Sequence, residues 1–150
     1  MPTGPSETVS ATERDAIRQV INGYYDTFPK DPVAAAAFYG EPAMIITLDQ
    51  LIPLNNRAEV AATFINMRNN LTGSGYKESK LLTPHIKFLN ASTVLYSGVI
   101  VRLREDGSEM SRGGITYLLH KGDAGWKIHE LIVTDPDRLI RDDSPPLRGA

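Results

Sequence analysis

The stretch "GWKIHELIVTDP", residues 125–136, begins at a glycine turn, continues as a mostly apolar run and ends at a proline. Its apolar and β-branched residues predict a strand from Trp126 to Thr134. Adjacent side chains on a strand point to opposite faces of the sheet. His129 and Glu130 therefore cannot both face the interior, and the fold determines which of these two proton carriers can belong to a site.

Similar runs precede this strand, and they are separated by the segments "NAS", "EDGS" and "GDAG", which have turn chemistry. The sequence therefore predicts a meander of four strands at Tyr76–Leu89, Thr93–Arg104, Glu109–Lys121 and Trp126–Thr134. Earlier in the chain, "AMIITL" and "QLIPL" predict two shorter strands that lie side by side.

Three helices are predicted before the meander. Ser10 and Glu13 have the spacing of a capping box, with Thr12 as the alternative cap, so the first helix begins near them. A second, short helix is predicted over residues 31–40, and a third over residues 56–73. The apolar stripe of the first helix consists of Ile17, Val20, Ile21, Tyr24 and Phe28.

This order of elements is typical of an α+β fold in which helices pack on one face of a curved sheet. We expect a flexible leader at residues 1–10 and a single domain at residues 11–134. The proline-rich, charged segment at residues 135–150 is expected to be a tail, either a loose strap or disordered.

The composition is that of an ordinary globular protein, with 41% hydrophobic residues, 23% charged residues and a formal net charge of −2. Charges of both signs are scattered without a basic patch, which argues against nucleic acid as a partner. We expect no membrane partner and a cytoplasmic location, because the sequence has neither a signal-like start nor a long apolar run. The absence of cysteine excludes disulfides, thiolate metal sites and cysteine nucleophiles.

The turn chemistry also predicts which side chains share a face. If Asp106 and Gly107 form a two-residue hairpin, Tyr96 opposes Tyr117, and if "GDAG" forms a four-residue loop, Tyr117 opposes Glu130. The two tyrosines and the glutamate then form one inward-facing row across three strands. A slip of one residue in either hairpin would exchange the two faces.

The opposite face of the predicted sheet combines His129 with many apolar residues, including Val99, Val101, Leu103, Leu118, Leu131 and Val133. Helices can cover only one side of the sheet, so this outer face is too apolar to be bare. The pattern predicts a partner, most simply a homodimer formed through the outer sheet face.

With this element order, the segments "AAFYGEPAMI" and "GWKI" resemble those of the nuclear-transport-factor-2-like superfamily over roughly residues 11–134. That group includes SnoaL-like polyketide cyclases, ketosteroid isomerase, scytalone dehydratase and limonene epoxide hydrolase. The resemblance implies a cone-shaped α+β barrel, also called cystatin-like, in which three N-terminal helices pack on a strongly curved, mixed, mainly antiparallel sheet. It also implies an apolar pocket at the open end of the cone and frequent dimerisation through the sheet.

Two residue types transfer from ketosteroid isomerase, which uses a carboxylate near the end of the first strand as its base and a tyrosine on the first helix as a hydrogen-bond donor. The resemblance implies the first role for Asp49 and the second for Tyr24 or Tyr25. The second acid of that oxyanion hole, the histidine pair of the dehydratase and the Asp-Arg-Asp relay of the epoxide hydrolase have no recognisable counterpart.

The candidate catalytic residues are therefore Glu130, Asp49 and Tyr25. A carboxylate in an apolar cavity has a raised pKa, which suits a general base, and a nearby tyrosine can donate to a developing enolate. In the alternative interpretation, Glu130 only pairs with a neighbour such as Arg102, and Asp49 is a turn residue. Apolar and aromatic residues predicted to line the pocket are Tyr24, Phe64, Met67, Tyr96, Ile100, Tyr117, Trp126 and Ile128.

Neither a cofactor nor a metal site is predicted, because His85, His120 and His129 are separated without the spacing of metal ligands. Two functional hypotheses remain open. The first is a SnoaL-like protein that binds a small hydrophobic molecule in the cone pocket and acts as a cofactor-independent isomerase, cyclase or dehydratase. The second is a non-catalytic homodimeric module for ligand binding or protein interaction.

Overall fold

Six strands form one open sheet in the computed structural model, which describes residues 4–141 and, for side chains, residues from 11 onward. The helices are α1 Gly4–Thr27, α2 Pro32–Ala35 and α3 Arg57–Thr72. The strands are β1 Tyr39–Ile46, β2 Leu51–Leu54, β3 Tyr76–Asn90, β4 Thr93–Arg104, β5 Glu109–Gly122 and β6 Gly125–Thr134. Short 3-10 turns occupy Ala36–Phe38 and Pro136–Arg138.

The strands lie in the order β2-β1-β6-β5-β4-β3. Strands β1 and β6 run parallel, whereas every other neighbouring pair runs antiparallel. The helices pack on one face of this mixed, mainly antiparallel sheet, which confirms the predicted cone-shaped α+β fold. Within residues 4–141, no helix has the length and apolar character needed to cross a membrane.

The predicted helices are present, with different limits. Helix α1 begins at Gly4, inside the segment assigned to a leader and ahead of the predicted cap at Ser10. Helix α2 ends early at Ala35 and continues as a 3-10 turn, so β1 begins at Tyr39 rather than after the predicted helix end. The cap of α3 is as predicted, because the Asn56 side chain accepts a hydrogen bond from the backbone N–H of Glu59, as N-cap residues do.

An aromatic cluster joins α1, α3 and β1. The fully buried side chain of Phe64 on α3 contacts the rings of Tyr24, Phe28 and Tyr39 at centroid distances of 5.6, 5.7 and 4.9 Å. Edge-to-face aromatic contacts stabilise a core beyond their buried area. The cluster therefore fixes the two long helices against the first strand.

The hairpin registers decide which side chains face the helices. Between β4 and β5, Tyr96 pairs with Tyr117, as predicted. The turn itself is longer than the predicted two-residue hairpin, because the backbone N–H of Arg104 donates to the carbonyl oxygen of Ser108, and a register shift between Arg102 and Leu103 offsets the difference. Between β5 and β6, the predicted register holds near the turn but shifts between Leu118 and Leu119. Beyond the shift, Tyr117 pairs with Leu131 and Leu118 pairs with Glu130, so the predicted pairing of Tyr117 with Glu130 is wrong.

The shift is a β-bulge, in which β6 contains one more residue than β5. The extra residue is His129, whose Nδ1 atom lies 2.7 Å from the carbonyl oxygen of Pro42. Its ring covers Gly40, where any side chain would collide with the imidazole. The bulge leaves both His129 and Glu130 on the outer side and turns Leu131 inward.

The start of the C-terminal tail crosses the outer face of the sheet. The backbone N–H of Ile140 donates a hydrogen bond to Ser97 Oγ at 3.2 Å, and Ser97 and Thr116 are buried there. Gly114 permits the close approach, because a Cβ atom at this position would collide with the backbone of Thr134. We call residues 135–141 the strap; residues 142–150 of the predicted tail lie outside the described residues.

We expect the aromatic cluster to contribute strongly to the stability of the fold. Phe64→Ala removes a fully buried ring and should lower the free energy of unfolding by about 3–5 kcal/mol. The neighbouring Ile65 is 37% exposed, so Ile65→Ala should cost less than about 1 kcal/mol. Equilibrium urea unfolding measures both. Equal losses in the two variants would contradict the central position of Phe64 in the core.

Candidate functional site

A cavity of about 280 Å³ lies between the inner face of the sheet and the helices. Side chains at helical spacing on α1 and α3 form its roof: Tyr24, Tyr25, Phe28, Thr63, Met67 and Leu71. Aliphatic side chains from five strands form most of its floor: Ile45, Ile52, Ile100, Ile115, Leu131 and Val133. The floor residues on β6 reach the cavity because of the bulge. The cavity is therefore mainly apolar.

Four predicted pocket residues line the cavity: Tyr24, Met67, Ile100 and Tyr117. Tyr25, predicted as a catalytic hydrogen-bond donor, lines it as well. Others are buried in the core but do not line the cavity: Phe64, Tyr96, Trp126 and Ile128. The prediction therefore found the correct face of β4 and β5. It also included core side chains on α3, β4 and β6 that do not border the empty space.

Two tyrosine hydroxyls meet at the cavity wall. Tyr25 Oη on α1 and Tyr117 Oη on β5 lie 2.8 Å apart and form a hydrogen bond. Tyr24 packs edge-on against both rings, at centroid distances of 5.5 and 6.0 Å. The pair thus places a hydrogen-bonding group within an apolar surface, where it can orient a polar atom of a bound molecule.

Burial sets the protonation state of these phenols. It raises the pKa of Tyr24 to about 12, and it raises the pKa values of Tyr25 and Tyr117 well above their usual range. The Tyr25–Tyr117 hydrogen bond lowers the pKa of Tyr25 and raises that of Tyr117, but desolvation is the larger cause for both. At neutral pH the phenols are therefore protonated, which makes them hydrogen-bond donors rather than bases.

A cation reaches the same cavity. Arg102 on β4 lies one inward position beyond Ile100 and lines the cavity wall opposite Ser79 of β3. Its Nε atom is buried and has no hydrogen-bond partner among the described residues. Ser79 instead forms a hydrogen bond with the hydroxyl of Tyr76, at 2.8 Å. This part of the wall is therefore polar, although the rest of the cavity is apolar.

The two candidate carboxylates lie elsewhere. Glu130 is on the outer face, next to Leu118 of β5 and Met44 of β1, because of the bulge. Asp49 is exposed in the turn between β1 and β2, where its carboxylate accepts a hydrogen bond from Thr47 Oγ1 at 3.2 Å. Thr47 lines the cavity, whereas Asp49 does not. The structure therefore corrects the inward placement of Glu130, and it brings neither acid beside the tyrosine pair.

Sequence reasoning missed most of the polar wall. The sequence prediction gives Arg102 only as a partner for Glu130, although the alternation of Arg102 with Ile100 on β4 indicates that its side chain points inward. Ser79, Tyr76 and Thr47 carried no comparable signal. Within the described part of the chain, no three histidine, aspartate or glutamate side chains come together as a metal site would require.

The fold and the cavity define the class of protein. The chain belongs to the family described as NTF2-like protein (DUF6841), which matches residues 12–136. No curated protein matches the sequence significantly. The match covers most of α1, the other two helices and all six strands of the sheet, so the resemblance predicted from the sequence is confirmed for fold and family.

Solved structures with the same fold are numerous. An NTF2-like protein with a cystatin-like fold from Novosphingobium aromaticivorans has a TM-score of 0.73 at 16% identity, over 89% of this chain and 88% of that one. A protein with a cystatin-like fold from Nostoc punctiforme has a TM-score of 0.66 at 24% identity, covering 91% and 80%. A candidate scytalone dehydratase from Novosphingobium aromaticivorans also has a TM-score of 0.66, at 16% identity, covering 96% and 99%.

The tyrosine environment predicts the behaviour of the protein at alkaline pH. All six tyrosines have pKa values raised by burial above the ordinary value of 10.0. Because the unfolded chain releases these protons first, stability should be complete below about pH 10 and should fall as the pH rises from there toward the folded pKa values.

Ultraviolet absorbance of tyrosinate measures this effect. The native protein should show little tyrosinate at about pH 10, whereas the chain in denaturant should be about half ionised there. Circular dichroism on the same samples detects unfolding. Ordinary titration of the tyrosines while the circular dichroism stays native would contradict their burial.

Proposed function

We propose that this protein binds a small, mainly apolar molecule in the cavity between its sheet and its helices. The main observation in support of this proposal is the lining of the cavity, which is apolar with a few convergent polar groups. Such a combination is typical of small-molecule sites, whose volumes are commonly ~300–1,000 Å³. At about 280 Å³, this cavity suits a compact molecule of one or two rings.

The tyrosine pair supports a fixed orientation of the ligand. A ligand oxygen beside Tyr25 and Tyr117 can accept a hydrogen bond from a protonated phenol while its apolar part covers the aliphatic floor. Unpaired polar groups are costly in such an environment, so a ligand without an acceptor at this point binds less well.

A second candidate function is cofactor-independent catalysis on the same molecule, as an isomerase, cyclase or dehydratase. The tyrosine donors favour it, because hydrogen bonds to a developing enolate stabilise a transition state. The similarity to a candidate scytalone dehydratase is compatible with it. The proposal for catalysis rests on Tyr25 and Tyr117 as donors, since Glu130 faces away from the cavity.

The cavity proposal is tested by filling the space. Met67 lines the cavity from α3, so Met67→Trp should place an indole in the ligand volume and lower the affinity for naphthalene-sized probes at least about tenfold. Asn66→Trp adds the same ring at an exposed position of the same helix and should leave binding unchanged. Isothermal titration calorimetry with 2-naphthamide and 2-naphthoate supplies the affinities.

Glu130 supplies a further control on this experiment. Glu130→Gln should bind both probes as the unaltered protein does, because the side chain lies on the outer face. If the unaltered protein bound neither probe, the proposed function would be overturned. Equal affinities in the unaltered protein and Met67→Trp would place binding outside the cavity.

We also propose that a second copy of the chain covers the part of the outer sheet face that the strap leaves open. Partly buried apolar side chains on this face support the proposal, including Val99, Leu118 and Ile132. Size-exclusion chromatography with light scattering at micromolar concentration should give twice the mass of the chain. A monomer at that concentration would contradict the proposal.

A further inference from the structure

Arg102 differs from the other arginines that contact the fold closely. Arg68 on α3 donates to the carbonyl oxygen of Pro29 at 3.0 Å, and Arg104 donates to the carbonyl oxygen of Glu109 at 2.8 Å. On the surface, Arg112 forms a salt bridge with Glu109 at 2.7 Å. Arg102 has no such partner: its Nε atom, like that of Arg68, is buried without a hydrogen bond, and no described residue forms a hydrogen bond or salt bridge with the remainder of its guanidinium.

No neighbouring side chain in the cavity wall supplies the missing partner of Arg102. Its neighbour across the inner face is Ser79, whose hydroxyl is already bonded to Tyr76. The other adjacent inward residue is Ile100, and beyond it the floor is aliphatic. The side chain of Arg102 is half-buried, with its Nε atom withdrawn from water, and charged groups in such surroundings are normally paired, because desolvation of an unpaired charge is costly. The cavity therefore contains a positive charge that lacks its complement.

We infer that the ligand of this cavity is a compact monocarboxylate whose anionic group pairs with the Arg102 guanidinium. This inference rests on the proposed function and specifies its ligand class. A carboxylate matches the planar guanidinium through two parallel hydrogen bonds, and the apolar remainder of the molecule lies on the aliphatic floor. One arginine in a cavity of about 280 Å³ balances a single negative charge on a small molecule.

The electrostatics of the cavity agree with this ligand class. The positive charge of Arg102 lowers the pKa values of Tyr24, Tyr25 and Tyr76, although burial raises all three overall. The field of the guanidinium thus extends to phenols on α1 and β3 and favours negative charge within the cavity. The hydroxyls of Tyr76 and Ser79 are additional hydrogen-bonding groups beside the anion.

The test compares two probes of equal shape and different charge, 2-naphthoate and its neutral amide 2-naphthamide. At pH 7, the unaltered protein should bind the acid about tenfold or more tightly than the amide. Arg102→Gln should weaken naphthoate binding by about tenfold to a hundredfold, as expected for loss of charged hydrogen bonds, and should change naphthamide binding by less than about twofold. Arg102→Lys keeps the charge but not the planar fork, so its naphthoate affinity should be intermediate.

Arg104→Gln is the matched control, since Arg104 lies on the same strand but bonds at the β4–β5 turn outside the cavity. It should bind both probes as the unaltered protein does. Circular dichroism establishes that each variant is folded. If Arg102→Gln fails to fold, the comparison of acid with amide on the unaltered protein and on Arg102→Lys decides the question.

The outcomes separate this inference from the proposal on which it rests. Equal binding of naphthoate and naphthamide, or unchanged naphthoate binding by Arg102→Gln, overturns the carboxylate assignment and leaves cavity binding intact. Absence of binding by both probes overturns the proposed function, and the carboxylate assignment is overturned with it. A loss of naphthoate affinity in Arg104→Gln equal to that in Arg102→Gln assigns the effect to overall charge and also overturns the inference.

Discussion

One additional residue in β6 determines the chemistry of the cavity. The bulge at His129 leaves two consecutive side chains on the outer face and then restores the alternation with the opposite phase. Leu131 and Val133 consequently enter the cavity floor, and Glu130 leaves it. Without the bulge, the same strand would present a carboxylate to the tyrosine pair. The cavity would then contain both an acid and a nearby cation.

With the bulge present, the inner face becomes a surface for recognition rather than for proton abstraction. Its described polar groups are hydroxyls and one guanidinium, all of which can donate hydrogen bonds. The burial that raises the tyrosine pKa values also keeps these donors protonated at neutral pH. A ligand with a hydrogen-bond acceptor and a negative charge is complementary to such a wall. One such ligand would contact the apolar floor, the tyrosine pair and Arg102 at the same time.

Much of the fold followed from local sequence signals, because each acted over a short distance. The position of the Asp-Gly turn between β4 and β5 and the N-cap of α3 at Asn56 were both evident from the sequence. The predicted pairing of Tyr96 with Tyr117 is observed because a register shift beside that turn offsets its additional residue. The bulge was not predictable in this way. It involves a contact between His129 and the backbone of β1, which is far away in sequence and runs parallel to β6. The inward placement predicted for Glu130 is therefore wrong because of a long-range contact. The predicted inward placement of Tyr117, in contrast, agrees with the structure.

The strap also has a bearing on the cavity, because the sheet between them is a single layer. Thr116 lies under the strap on one side, and its neighbours Ile115 and Tyr117 border the cavity on the other. The backbone that carries the floor of the cavity is thus held from behind by the C-terminal end of the same domain. A chain cut at the end of β6 would retain every cavity residue and yet expose the reverse side of its floor to water.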